Sequence, residues 1–125
     1  MFFLDTNIVI WLFQGELNKL PSSLQITLEN NELVVSPIIK LELQYLYEIK
    51  RIKIPPKKIL DYLYENIGLS LQNIPLHLLI EESLSQSWTR DPFDRLIVSH
   101  ANLEKSYLVT RDKTILANYS MAVWD

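Results

Sequence analysis

The sequence contains no cysteine and only two glycines, Gly15 and Gly68. The lack of cysteine excludes disulfides and thiolate metal sites and is consistent with a reducing compartment. Two isolated glycines cannot form the glycine-rich phosphate loop of a nucleotide-binding fold. The formal net charge of -3 gives no overall attraction for nucleic acid, so any such binding must come from a local basic patch.

Long apolar runs are also missing. The chain reaches Asp5 without the basic start and apolar core of a signal peptide, and the apolar run at residues 8–13 is far too short to span a membrane. A length of 125 residues with 48% hydrophobic content suits one domain with one core. We therefore expect a single domain over residues 1–125, soluble and cytoplasmic, with no membrane partner.

Short apolar runs alternate with longer helical patterns along the chain. Strands are predicted at residues 2–4, 33–35, 69–71, 107–109 and 121–124. Helices are predicted at residues 8–13, 21–30, 37–49, 55–68, 75–87, 91–105 and 112–119. This alternation predicts an α/β fold in which helices cover both faces of a mostly parallel sheet.

Four acidic residues stand in apolar surroundings. Asp5 and Asp112 each follow a predicted strand, and ligands of parallel sheets gather outside the carboxyl ends of the strands. Glu42 lies on an apolar helix stripe that faces the core or a cleft wall. Because glutamate is almost never buried without a partner, Glu42 is a candidate functional residue. Asp94 begins a helix stripe continued by residues 97, 98 and 101, so we expect it to point toward the packed side.

Each of these acids also has a purely structural interpretation. Asp5 and Asp112 are suitable N-caps of the helices that follow them, although Thr6 competes for the first role. Asp94 falls in a first helical turn, where the helix dipole favours an anion. Asp91 precedes Pro92, a sequence typical of a helix cap, and we favour that role for it.

Carboxylates that converge in space repel one another unless a cation lies between them. Four acids without cysteine or histidine form a ligand set suited to Mg²⁺ or Mn²⁺ and unsuited to zinc or copper. The two histidines, His77 and His100, lie in predicted helices. We interpret both as surface residues or as core residues with satisfied hydrogen bonds.

These motifs, taken in order, resemble those of a PIN domain. Residues 5–7 follow an N-terminal strand, Glu42 lies on a helix, residues 91–97 begin a helix, and residues 110–112 follow a late strand. The match covers essentially the whole chain. The small single-domain size is most similar to the VapC toxins of prokaryotic toxin–antitoxin pairs.

The resemblance implies a three-layer α/β/α fold and a Mg²⁺- or Mn²⁺-dependent endoribonuclease. It also implies that Asp5, Glu42, Asp94 and Asp112 form the catalytic metal site. In such sequences Thr6 or Asn7 orients Asp5 or the metal-bound water, and Asp91 lies nearby with a less defined duty. A homodimer and a cognate antitoxin that inserts a segment into the active cleft are implied in the same way.

An RNA substrate needs a basic surface. Residues 50–58 contain no acid and five cations: Lys50, Arg51, Lys53, Lys57 and Lys58. This stretch is either an RNA-binding surface that contacts phosphates without recognising the base sequence, or only a solvated connection between helices. Arg95 and Arg111, beside proposed ligands, are expected either to hold a phosphate or to neutralise the acids. Five aromatic residues recur at helical spacing, which favours core or dimer surface over base stacking: Trp11, Tyr45, Tyr47, Tyr62 and Tyr64.

Two other functions compete with a nuclease. In a non-catalytic protein- or RNA-binding module, the acids are caps or hold a partner's basic side chains. In a phosphotransferase, Asp5 is the nucleophile, but Asn7 stands two residues later, where enzymes of that kind commonly have a second aspartate.

Overall fold

The computed structural model describes all residues 1–125 and contains one five-stranded sheet. Its strands are β1 (Phe2–Leu4), β2 (Leu33–Val35), β3 (Ser70–Leu71), β4 (Tyr107–Val109) and β5 (Ala122–Val123). The strand order is β3-β2-β1-β4-β5, and every neighbouring pair is parallel. All five strands fall at positions predicted from the sequence.

Seven α-helices connect and cover the strands. They are α1 (Thr6–Gln14), α2 (Ser22–Glu29), α3 (Pro37–Glu48), α4 (Pro56–Ile67), α5 (Leu76–Ser83), α6 (Pro92–Leu103) and α7 (Lys113–Asn118). The prediction that the fifth helix extends to residue 87 is wrong. The side chains of Ser83 and Ser85 donate to the carbonyls of Ile80 and Glu82, and such local bonds compete with continued helix. A 3₁₀ turn at Leu17–Lys19 was not predicted.

The central strands are apolar because they are buried on both faces. Phe3, Leu4, Leu108 and Val109 have no exposed surface, so helices must pack above and below them. The result is the three-layer α/β/α arrangement predicted from the alternating pattern. None of the helices is both long and apolar enough to cross a membrane.

The sheet has a topological switch point between β1 and β4. The chain builds β1, β2 and β3 outward in one direction, then crosses back to add β4 and β5 on the other side of β1. Ligands in sheets of this kind bind outside the carboxyl ends of the strands at the switch point. Helices α1, α3 and α7 begin directly after strands, and α6 begins at the same edge because it leads back to the start of β4.

Candidate active site

Asp5 lies at the switch point and is held from two directions. One carboxylate oxygen, Oδ1, accepts a 2.8 Å hydrogen bond from the backbone N–H of Thr6, and Oδ2 accepts one of 2.7 Å from Thr110 Oγ1. The residue is buried, and its own N–H donates to the carbonyl of Val109 at 2.9 Å. Burial raises the pKa of Asp5, the two hydrogen bonds oppose that rise, and nearby Asp112 and Asp91 add to it.

Glu42 lies in the second turn of α3 and reaches toward the start of α1. Its Oε1 accepts a short hydrogen bond from the hydroxyl of Thr6. Burial is the main cause that raises the pKa of Glu42, and the charges of Asp5 and Asp91 contribute to the same rise. The sequence also allows a structural interpretation of Glu42, either with a partner such as Lys40 or at the edge of its stripe, and Lys40 is not that partner because it forms no salt bridge.

Asp94, in the first turn of α6, is the electrostatic centre of the group. Its pKa is raised to about 7, first by burial and then by the four other carboxylates, in decreasing order Asp91, Asp5, Asp112 and Glu42. The predicted stripe beyond it is confirmed, because residues 97, 98 and 101 are buried. The five acids therefore share one electrostatic environment although they come from distant parts of the chain.

Asp91 and Asp112 are helix caps as well as members of this acid cluster, which consists of Asp5, Glu42, Asp91, Asp94 and Asp112. Asp91 Oδ1 accepts hydrogen bonds from the N–H groups of residues 93 and 94, and Asp112 Oδ1 accepts from those of residues 114 and 115. The cap interpretations of both residues are confirmed. A carboxylate has two oxygens with two lone pairs each, so these bonds leave acceptor capacity for a cation.

No basic side chain is paired with the acid cluster. The structure contains two salt bridges, Lys19–Glu16 and Lys57–Asp61, both outside it. Arg95 instead donates its Nε–H to the carbonyl of Thr89 at 2.7 Å. Neither Arg95 nor Arg111 forms an ion pair with the acids, so their roles in holding a phosphate or in neutralising the acids stay predictions. The acid cluster accepts hydrogen bonds from N–H groups and hydroxyls but has no ion-pair partner.

The donor chemistry of the acid cluster fits a hard divalent cation. Every candidate ligand is a carboxylate oxygen, which suits Mg²⁺ or Mn²⁺. No three of the acids lie close enough together to hold an ion by themselves. Mg²⁺ usually keeps several waters and takes only one or two carboxylates directly, so any ion held here would be bound in part through its waters.

Thr110 is a site residue for which no role was predicted. Its hydroxyl donates to Asp5 and accepts a 3.0 Å hydrogen bond from the N–H of Asp112, so it ties together two acids. Thr6 contacts two of the acids. Its backbone N–H donates to Asp5, and its hydroxyl donates to Glu42. Asn7 is exposed and adds no hydrogen bond to this network.

The basic stretch at residues 50–58 lies away from the acids. Lys50 is eight residues beyond Glu42, which corresponds to about 12 Å along the direction of α3. All five cations are exposed, and Lys57 is paired with Asp61 at 2.6 Å. Contact between this stretch and RNA therefore requires a substrate that extends well beyond the acid cluster.

The aromatic residues divide between the two predicted environments, core and dimer surface. Trp11 is half-buried, whereas the four tyrosines of α3 and α4 are exposed, so a dimer surface stays a prediction for them: Tyr45, Tyr47, Tyr62 and Tyr64. His77 is exposed, as expected of a surface residue. His100 is completely buried, but neither ring nitrogen has a hydrogen-bond partner in the protein, so it is not a satisfied core residue.

Solved structures with a similar fold include three toxin–antitoxin complexes. VapBC2 from Rickettsia felis, bound to a DNA fragment from its promoter, has a TM-score of 0.67 at 24% identity and covers 99% of this chain and 98% of that chain. A toxin–antitoxin complex from Klebsiella pneumoniae has a TM-score of 0.65 at 21% identity, with 98% and 96% covered. DNA-bound VapBC from Salmonella typhimurium has a TM-score of 0.58 at 18% identity, with 97% and 93% covered.

Sequence comparison gives the family. Comparison with curated proteins found no match. The family model of the PIN domain, however, matches residues 2–120, nearly the whole chain. PIN domains are typically nucleases, and the acid cluster lies within the matched residues. The chain belongs to the PIN domain family.

Proposed function

We propose that this protein is a Mg²⁺- or Mn²⁺-dependent endoribonuclease and the toxin of a VapBC-type toxin–antitoxin pair. The observation that carries the proposal is the environment of Asp94. Burial and then four other carboxylates raise its pKa, and no basic side chain is paired with any of these acids. A protein tolerates such repulsion at the switch point of a sheet when a cation offsets it. PIN family membership supports a nuclease use for that cation.

The roles of the side chains follow from their contacts. Asp5 is fixed by Thr110 and by the N–H of Thr6, so its carboxylate keeps one orientation. Glu42 is fixed by the hydroxyl of Thr6. Asp94 has a pKa of about 7 and must lose its proton for the site to bind a cation fully. Asp5, Glu42, Asp94 and Asp112 would hold the ion, one or two of them directly and the others through its bound waters, while Asp91 adds negative charge and caps α6.

A divalent cation bound there supplies the chemistry of phosphodiester hydrolysis, because it lowers the pKa of a water and offsets charge on the phosphate and leaving oxygen. In its absence, the acid cluster repels the RNA backbone. RNA should therefore bind at this edge only when the cation is present.

The partners are proposed on separate grounds. Similar folds occur in proteins described as toxin–antitoxin complexes, which supports a cognate antitoxin. Large apolar side chains are exposed along α3, along α4 and from α5 to its C-terminal end: Leu41, Tyr45, Tyr62, Tyr64, Leu76, Ile80 and Leu84. They provide a surface for an antitoxin and for a homodimer. Action on RNA places the protein in the cytoplasm.

The decisive experiment measures cleavage of a fluorescently labelled single-stranded RNA with Mn²⁺, with Mg²⁺ and with a chelator. The wild type should cleave only with metal, and Asp5→Asn and Asp94→Asn should lose at least about a hundredfold in rate, the scale of one essential electrostatic group. Asp61→Asn is the matched control, because Asp61 is exposed and paired only with Lys57. Unchanged cleavage in both site variants, with their folding intact, would falsify the assignment.

A non-catalytic binding module is the second candidate, and one observation favours it. Asp5, Asp91 and Asp112 all cap helices, so three of the five acids have a structural use. Calorimetric titration separates the two functions. Binding of Mn²⁺ that Asp94→Asn abolishes supports the nuclease, whereas no binding at millimolar metal to the folded protein supports the module.

A further inference from the structure

Arg111 makes cation–π contacts with two tryptophans beside the acid cluster. Its guanidinium carbon lies 5.9 Å from the ring centroid of Trp11 and 5.9 Å from that of Trp124. The two indoles themselves meet edge to face, with centroids 6.1 Å apart and planes at 64°. Lys19 adds a second cation, with Nζ 5.5 Å from the Trp11 centroid. We call Arg111, Trp11 and Trp124 the tryptophan–arginine cluster.

The pairing of Arg111 is unexpected from charge alone. An arginine next to Asp112 and close to other carboxylates would ordinarily form an ion pair, yet Arg111 forms no salt bridge. Its guanidinium lies within 5.9 Å of two indole centroids, and its five N–H donors have no side-chain or backbone acceptor. Arg111 is exposed, so these donors face solvent. An exposed guanidinium of this kind suits a phosphate or a nucleobase.

The tryptophan–arginine cluster lies at the same edge of the sheet as the acids. Trp124 follows the carboxyl end of β5, where Val123 accepts a hydrogen bond of 3.1 Å from the N–H of Thr110. Trp11 lies on α1, which begins directly after Asp5. Neighbouring strands are about 4.8 Å apart, so an RNA phosphate at the acid cluster places an adjoining nucleotide near the indoles.

Both tryptophans are half-buried, which leaves part of each ring open to solvent. Indole and guanidinium faces bind bases of any sequence by stacking. Bases can reach them only when the strand is not paired, because a duplex keeps its bases stacked inside. The geometry therefore favours a single strand over a double helix.

We propose that the tryptophan–arginine cluster is a base-binding subsite for the nucleotide next to the scissile phosphate of single-stranded RNA. The proposal rests on the proposed nuclease function and names the substrate class of that site. Trp11, Trp124 and Arg111 position the strand and take no part in the bond-breaking step. In a purely structural alternative, the same contacts only close the core between α1 and β5.

Binding can be measured apart from cleavage with a 2′-O-methyl phosphorothioate oligouridine in the presence of Mn²⁺, and electrophoresis after the titration checks that the oligomer is intact. Trp88→Phe removes the third tryptophan, so fluorescence then reports only Trp11 and Trp124. We expect the oligouridine to quench this fluorescence. A matched oligomer of equal length that lacks its bases should bind about tenfold or more weakly, as expected for the loss of one stacked base.

Variants separate stacking from packing. Trp124→Leu should lose the preference for base-bearing oligomer while Trp124→Phe, which keeps an aromatic face, should largely retain it. Arg111→Gln is the second variant, used in case Trp124→Leu is unstable. It changes an exposed side chain, so it should weaken oligouridine binding without unfolding the protein. Equal binding of the two oligomers by the wild type, or an unchanged preference in both the folded Trp124→Leu and Arg111→Gln variants, overturns the subsite.

The same samples distinguish this proposal from the nuclease assignment. RNA cleavage without any preference for base-bearing oligomer leaves the nuclease standing and removes the subsite. A clear base preference and quenching without metal-dependent cleavage keeps a single-strand binding site and removes the nuclease. Trp124→Leu should raise KM for single-stranded RNA more than it lowers kcat, because the indole contacts the strand and not the reacting atoms.

Discussion

Thr110 Oγ1 donates a 2.7 Å hydrogen bond to Asp5 Oδ2, and so joins the end of β4 to the end of β1 across the switch point. The same hydroxyl accepts a 3.0 Å hydrogen bond from the N–H of Asp112. One buried threonine therefore sets the orientation of the first acid and the position of the last. These two acids are more than a hundred residues apart in the chain, since Asp5 and Thr110 differ by 105 positions.

Thr110→Val should preserve the fold but release Asp5. Valine has nearly the shape of threonine, so the loss comes from the missing hydrogen bonds, at about 1–3 kcal/mol of unfolding free energy. Because the Thr110 bond lowers the pKa of Asp5, the variant should raise that pKa and weaken Mn²⁺ binding at neutral pH. Chemical denaturation and calorimetry measure the two effects.

Thr110→Ser keeps the hydroxyl and is the control for that substitution. It should restore metal binding to near the wild-type value. Equal metal affinity in Thr110→Val and the wild type would show that Asp5 needs no such orientation.

Asp94→Asn should stabilise the metal-free protein at pH 8. The pKa of Asp94 rises from its ordinary 3.8 to about 7 in the folded protein, so the folded state binds more protons between these values and stability falls as the pH rises through that window. Asparagine carries no charge, so the variant avoids the cost of burying an ionised carboxylate but also loses a favourable contact with the helix dipole. The net gain in unfolding free energy should be on the order of 2 kcal/mol.

Saturating Mn²⁺ should reverse that order, because the cation stabilises the wild type through mass action and the variant much less. Thermal unfolding with and without Mn²⁺ at pH 8 gives both comparisons. A metal-free Asp94→Asn protein less stable than the wild type would mean that Asp94 serves the helix rather than a cation.

Thr6→Val should raise the pKa of Glu42 further. The hydrogen bond from the Thr6 hydroxyl is the one contact that lowers this pKa, whereas burial and the charges of Asp5 and Asp91 raise it. Carboxyl carbon NMR of the two proteins, followed as a function of pH, measures the shift. Thr6→Ser should leave the titration of Glu42 nearly unchanged, and an unshifted pKa in Thr6→Val would show that the hydroxyl does not matter.

His100→Phe should be neutral or stabilising at pH 7, since both ring nitrogens of His100 are buried without partners and its ring already packs against Phe3 at 4.9 Å between centroids. Burial lowers the pKa of His100 from 6.5 to about 4. The unfolded chain therefore binds the extra proton first, and the wild type loses stability as the pH falls from about 6.5 toward 4.

The variant lacks that loss, so its advantage over the wild type should grow by about 1–3 kcal/mol across this pH range. Urea denaturation of both proteins at pH 7 and pH 4.5 tests the difference. An advantage that does not change with pH would indicate that His100 is charged or hydrogen-bonded in solution.

The sequence by itself was enough for the fold class. Runs such as Phe2–Leu4 and Leu33–Val35 are apolar on both faces, and only a sheet covered on two sides buries them. Local signals such as Ser36 before Pro37, and Gly68 at the end of α4, fixed helix boundaries because capping is decided within a few residues. Where local bonds were not visible, as at Ser83, the boundary was missed.

Only the tertiary structure decided what the acids do together. Spacing along the chain marks Asp94 as unusual, but its high pKa comes first from burial and then from four carboxylates that the fold brings near it. The role of Thr110 and the cation–π contacts of Arg111 with Trp11 and Trp124 likewise depend on strands that meet at one edge. Charge repulsion and ring contacts act over a few ångströms of space, whatever the distance along the chain. That is why a sequence pattern names the candidates and the fold decides which of them interact.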